Sequence, residues 1–378
     1  MPVRDLQQQA RDHQDVVSHE DDELRNELLG TITHLFVNQT QHSTDEIRQF
    51  EAAAEGLLPH TNKDVRLKTA EALADYPYTP LGVVKAFLAI GGDLATPFQR
   101  RSVCMPRTLV SEYAKNGEMV EACNIANRVD LDDTQVALLC ARQEIEVLRA
   151  VARNAMAPLD PGNFESLVRQ ARFDRQLARA LCMRARDPLA IAPIFMFANT
   201  AQRDAIILAT RRAGLGAPLA EPLSDVEVSI ADELLEAAET RNLDEASWLV
   251  ARAVGCTSTL ARDIIADASG EPLALVLAML RIEVEAASRV LAMFDAPPMR
   301  SADRIKALSN IIRDMPRACA ERLLKTMVGL SGQRVQADYM PVSDPSAAQT
   351  PSRPAEMGAL IAVLENAVEQ QKRFLLKR

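Results

Sequence analysis

No histidine follows His60: all five, His13, His19, His34, His42 and His60, fall in the first sixty of 378 residues. Any chemistry further along would proceed without the commonest base at neutral pH. Aromatic residues are scarce as well, at 4% of the chain with one tryptophan, Trp248, and there are only 14 glycines. Strands draw on aromatic and β-branched side chains, whereas this composition, rich in Ala, Leu, Val and Arg, favours helix. No run approaches the ~20 uncharged apolar residues of a bilayer span. The N-terminal MPVRDLQQQARDHQD has no apolar core for a secretion signal, so a cytoplasmic location is expected.

The spacings that chemistry requires are also missing. Cys104, Cys123, Cys140, Cys182, Cys256 and Cys319 contain no Cys-x-x-Cys pair, and each sits among apolar neighbours, which marks buried small hydrophobes rather than metal or redox ligands. The run His19-Glu20-Asp21-Asp22-Glu23 holds one imidazole and four carboxylates, but consecutive residues of a helix do not converge, and acids in a first turn suit the helix dipole. There is no phosphate-binding glycine loop: Gly214-x-Gly216 lacks the third glycine and a preceding strand. Neither a Gly-x-Ser-x-Gly elbow nor a His-Glu-x-x-His pair occurs. The expectation is a protein without catalytic residues, cofactor or metal.

Charge is unevenly spread. The net charge is −9, and the first 62 residues hold 12 acidic against 4 basic side chains, so the rest of the chain is nearly neutral. That balance argues against nonspecific nucleic-acid binding, which rests on Lys and Arg contacts to phosphate.

What is present is punctuation. Between Asp64 and Pro188 apolar helical runs alternate with stops and restarts. Thr79-Pro80 is read as an N-cap followed by proline in the first turn, Gly91-Gly92 as a stop, and Thr96-Pro97, Asp160-Pro161 and Asp187-Pro188 as restarts. Helix starts near Asp64, Thr96, Met119, Ile145 and Arg175 recur at the period of a helix-turn-helix repeat. Ser43 with Glu46 and Ser224 with Glu227 form capping boxes. On the first helix Leu24, Leu28, Ile32 and Leu35 share one face.

The runs VRLKTAEALADYPYTPLGVVKAFLA, ATPFQRRSVCM, NIANRVDL and VLRAVARNAMAPLDPGNFESLVRQA resemble an uncharacterised bacterial helical-repeat family known only as a domain of unknown function. LLEAAETRNLDEASWLVARAVGCTSTLARDIIADASGEPLALVLAMLRIE is similar to that family's C-terminal part, so the resemblance spans about Glu27 to Leu291. It implies a shape like HEAT and leucine-rich-variant repeats and supplies no catalytic residues.

These readings predict an all-α fold, a curved right-handed α-solenoid of stacked helical hairpins. A polar, disordered stretch over 1–17 leads into an acidic capping hairpin over 18–60, then arrays over 61–200 and 201–330. A proline-punctuated flexible linker over 331–355 follows, and a detached amphipathic helix over 356–378 carries Leu364 and Phe374 in its apolar stripe.

Between residues 142 and 186 nine arginines face five acids. Equivalent positions of successive repeats line one face, so Arg149, Arg153, Arg169, Arg172, Arg175, Arg179 and Arg186, with Leu364 and Phe374, are the candidate partner-binding residues. A solvated outer face would explain the same arginines. The function expected is a protein-protein interaction scaffold or regulatory adaptor. Its partner is another protein, not nucleic acid or membrane, and the C-terminal helix offers a route to a homodimer. The alternative is a small-ligand sensor or enzyme with a pocket near residues 214–260.

Overall fold

The computed structural model describes residues 21–214, 222–294 and 302–329, and among them every regular element is a helix. The chain opens with α1 (21–37) and α2 (Thr44–Leu57). Then come α3 (Lys63–Ala74), α4 (Leu81–Ile90), α5 (Gly92–Arg101), α6 (Arg107–Asn116), α7 (Met119–Ala126), α8 (Asp133–Ala141), α9 (Ile145–Arg153), α10 (Pro161–Ala171) and α11 (Arg175–Arg184). A 3-10 segment, Pro188–Phe197, leads to α12 (Thr200–Ala213). The remainder is α13 (Asp225–Glu239), α14 (Leu243–Val254), α15 (Ser258–Ala266), α16 (Glu271–Met279), α17 (Val284–Met293), α18 (Ala302–Asp314) and α19 (Arg317–Val328). None is long and apolar enough to cross a membrane among the described residues. The expected 1–17 stretch, linker and C-terminal helix, with Leu364 and Phe374, lie outside them.

Local chemistry sets most boundaries. The Ser43 and Ser224 capping boxes form, and Asp160 caps α10 with Pro161 in its first turn. Two starts differ from expectation. Pro80, not Thr79, is the N-cap of α4, because the Thr79 hydroxyl donates back to Leu73 O at 2.7 Å. Thr96-Pro97 does not restart a helix. Gly91, at φ +77°, turns the chain so sharply that α5 begins at Gly92 and carries Pro97 inside it.

Between α3 and α11 the helices run in two rows. α3, α5, α7, α9 and α11 each pack on the next of their row, and α6, α8 and α10 form a second row beside them. The first row is tied end to end. Arg101, Arg128, Asn154 and Arg184, each at the C-terminal end of its helix, donate to carbonyls around the C-terminal end of the preceding helix in the row, 26 to 33 residues back. A helix end leaves such carbonyls short of donors, although Phe98 O and Ser102 O also accept from Ser102 N and Met105 N. Arg128 is the most enclosed of the four, 1% exposed, and donates to Phe98 O, Gln99 O, Ser102 O and the Asp130 carboxylate. In the second row Arg142 does the same for Ala114 O and Lys115 O at the end of α6.

The N-terminal helix packs one residue out of the expected phase. Leu29, Thr33 and Phe36 are buried, while Leu24, Leu28 and Leu35 face outward. The Phe36 ring decides this: it stacks on Phe50 at 3.9 Å and on His42 at 4.1 Å, and the larger aromatic surface takes the inward position.

Beyond the 3-10 segment the two-row pattern gives way to a cluster around α16. All nine of its residues are buried, and α14, α15, α17, α18 and α19 pack on it. A helix apolar on every side has to be enclosed. Its first residue, Glu271, is 0% exposed and pairs with Arg203 and Arg304, its charge lying at the positive end of the helix dipole. α19 also packs on the 3-10 segment, α12 and α14, so the C-terminal half folds back against the end of the first array.

Candidate functional site

The fold-back leaves a hollow of about 1450 Å³ between the α10–α11 junction and the 3-10 segment on one side, and α14, α15 and α19 on the other. Arg172 bridges the two sides. It occupies the position after α10 that Arg142 occupies after α8, yet instead of reaching back along the row its Nη2 donates to Thr326 O on α19. Gly329 ends α19 at φ +80°, a conformation that favours glycine, and the Arg172 guanidinium occupies the space where a Cβ would stand. The Arg172 Nε has no acceptor, and burial pulls the guanidinium below its ordinary range.

Six basic side chains and three acidic ones line the hollow. Two of the bases are neutralised on the spot. Arg203 donates to both Asp267 oxygens at 2.8 and 3.0 Å and pairs with Glu271, and Lys325 pairs with Glu321. Arg252 lies over the Trp248 ring at 4.4 Å and forms no ion pair among the described residues. Arg175 and Arg179 are exposed and have neither an acidic nor a hydrogen-bonding partner among the described residues. Phe173, between α10 and α11, is 91% exposed at the same wall.

Of the arginines singled out in the sequence, the hollow therefore gathers Arg172, Arg175 and Arg179. The others stand away from it. Arg149 is held by Asp174, Nε to Oδ1 at 3.0 Å, and Arg153 donates to Gln176 Oε1 at 2.6 Å. Arg169 and Arg186 are exposed. Sequence reasoning missed Phe173 and the α19 wall, Lys325 to Gly329. An aromatic residue between Arg172 and Asp174, outside either helix's apolar stripe, was the available signal for the first. No local signal existed for the second, because only the fold-back brings α19 near α11.

The titratable groups are tuned for charge. Cys256 lines the hollow, and burial pushes its thiol up to about 12, which leaves it unreactive near neutral pH. Burial pushes the Asp267 carboxyl up, but hydrogen bonds from Arg203 and Ser269 and the Arg203 charge outweigh it and hold the group below the usual carboxylate range. The Arg149 guanidinium holds Asp174 low in the same way. No group of three or more His, Cys, Asp or Glu side chains is arranged to hold a metal among the described residues.

These depressed values set a pH dependence. Asp267 and Asp174 have folded values below the ordinary ~3.9 of an unfolded Asp, so their contribution is complete above that pH and is lost as pH falls through the folded values. Melting temperature is expected to hold from neutral pH to about 5 and to fall steeply below about 4. A melt series across that window should show a shallower acid limb for Asp174→Asn, and equal limbs would contradict the assignment.

No family model, curated protein or solved structure matches the chain.

Proposed function

We propose that the chain is a non-catalytic helical-repeat protein that acts as an interaction scaffold or regulatory adaptor, taking a segment of a partner protein into the hollow between α11 and α19. The observation that carries this reading is the hollow's size. At about 1450 Å³ it exceeds the ~300–1,000 Å³ of small-molecule pockets, and it opens to solvent beside an exposed phenylalanine. Its walls support binding over proton transfer: of its three carboxylates Asp267 and Glu321 are held by Arg203 and Lys325, and its thiol is held protonated. Cytoplasmic residence and kinship with a bacterial helical-repeat family are parts of the same proposal. Arg252, Val254 and Leu260 belong to the wall, so residues 214–260 do contribute to a cavity. That observation favours the second reading, a small-ligand sensor using part of the same hollow.

Ala266, exposed at the end of α15, lines the hollow, and Ala266→Trp would place an indole inside it without moving a charge. Affinity capture from cells with this variant is expected to recover at least about tenfold less partner than the wild type, at an unchanged melting temperature. Equal recovery would count against the hollow as the partner site.

A further inference from the structure

We propose that the partner segment is acidic: two carboxylates spaced about one helical turn apart lie on Arg175 and Arg179, and an apolar residue lies against Phe173. This rests on the reading of the hollow as a partner site and names the chemistry that site selects.

The argument begins with the charges left over. Elsewhere on these helices guanidiniums are mostly engaged: Arg149 with Asp174, Arg184 with Val151 O and Ala157 O, Arg203 with Asp267 and Glu271. Arg175 and Arg179 are the exception on this wall, and beside them Arg172 presents a buried Nε without an acceptor. The positive charge of the exposed Arg175 and Arg179, with the part-buried Arg172 beside them and no acid on any of the three among the described residues, gives this wall a field that favours an anion.

Spacing narrows the anion. Arg175 and Arg179 are four residues apart on α11 and so project from one face with their Cβ atoms ~6 Å apart. Two singly charged groups at that separation fit two guanidiniums, each bidentate. A single dianion would have to draw both together beside Asp174, whose carboxylate already accepts from Leu177 N at the start of α11. Carboxylates of Asp or Glu, at i and i+4 of a helix or i and i+2 of an extended segment, meet the spacing.

Apolar contact brackets the charges. Phe173, 91% exposed, precedes Arg175, and Met183, 79% exposed, follows Arg179 by four residues on the same face. Single exposed hydrophobes need no explanation, but two that flank a pair of unpartnered arginines form a charged centre with apolar ends. A nucleic acid fits less well: outside residues 142–186 the chain is acidic overall, most strongly in its first 62 residues.

The test is a selection of random 12-residue peptides displayed on phage against the full chain, with Arg175→Glu/Arg179→Glu and Ala266→Trp as counter-baits. Winners on the wild type are expected to carry two Asp or Glu and an aromatic or aliphatic residue. As synthetic peptides they should bind the reversed-charge variant at least about tenfold more weakly and lose affinity as salt rises. Exchanging their acids for lysine should restore binding to that variant. If it melts below the wild type, Arg175→Gln/Arg179→Gln is used instead, with the same loss expected. Winners that depend on the hollow, failing on Ala266→Trp, but show no acidic enrichment would overturn the proposed chemistry while leaving the partner-site reading in place. Winners indifferent to both counter-baits would overturn the two together. A uridine oligonucleotide that outcompetes the best acidic peptide would overturn the choice of protein as the partner.

Discussion

Replacing Arg128 by methionine is expected to cost about 1–3 kcal/mol, the scale for leaving buried acceptors unmet, and to lower the melting temperature by roughly 2–6 °C. The side chain is 1% exposed, and its loss strands Gln99 O, leaves Phe98 O and Ser102 O with only the backbone donors Ser102 N and Met105 N, and breaks the Asp130 pair. Methionine fills the space but donates nothing, so the measured cost isolates the unmet carbonyls from the cavity. Lysine should recover little of it, because a point ammonium cannot reach acceptors spread around a planar fork. Arg153→Met provides the control. Arg153 is exposed and holds only Gln176, so its removal should change the melt by less than about 1 °C. An Arg128→Met protein that melts with the wild type would show that the end-to-end ties are ornamental.

The second large effect concerns the charges under α16. Arg203→Met would leave Asp267 without its guanidinium and Glu271 with Arg304 alone. A loss of about 3–5 kcal/mol is expected, and the same substitution loosens the wall of the hollow that Arg203 shares. Adding Asp267→Asn and Glu271→Gln should return a good part of the stability, since the cost comes mainly from stranded charge rather than from a missing attraction. Thermal unfolding of the single, double and triple variants gives the comparison. Strict additivity would contradict the assignment of these residues to one network.

How far the chain could be read in advance follows from the range of each signal. Met119, Ile145 and Arg175 begin helices as their spacing implies, and Ser43, Asp160 and Ser224 cap where their neighbours three residues on permit it. All of that is settled within one or two turns. Thr96-Pro97 misleads because a glycine five residues earlier had already turned the chain. Leu24, Leu28 and Leu35 mislead because periodicity finds an apolar face without saying which of two faces meets the larger neighbour, here Phe50. The enclosure of α16 is visible in its composition, since Pro272 to Met279 has no polar residue. Its enclosing partners are not, because they arrive from both sides of the sequence. The candidate site divides in the same way. An excess of arginine near residues 172–179 is plain in the sequence, but its separation into tied and untied members depends on Asp174, Gln176 and Thr326, which no spacing rule connects to them.

The reach of Arg172 to Thr326 has a consequence for the life of the chain before it is complete. Each helix from α3 to α11 packs mainly on neighbours already synthesised, so the two rows can assemble in order as the polypeptide emerges, with short-range contacts throughout. The hollow has no such early existence. Part of its far wall is α19, whose Thr326 lies 154 residues beyond the arginine that reaches it, so the hollow closes only after that helix has been made. A chain stopped between α15 and α19 would keep the two rows of helices and the walls from α11, α14 and α15, but it would lack the wall that Arg172 ties down.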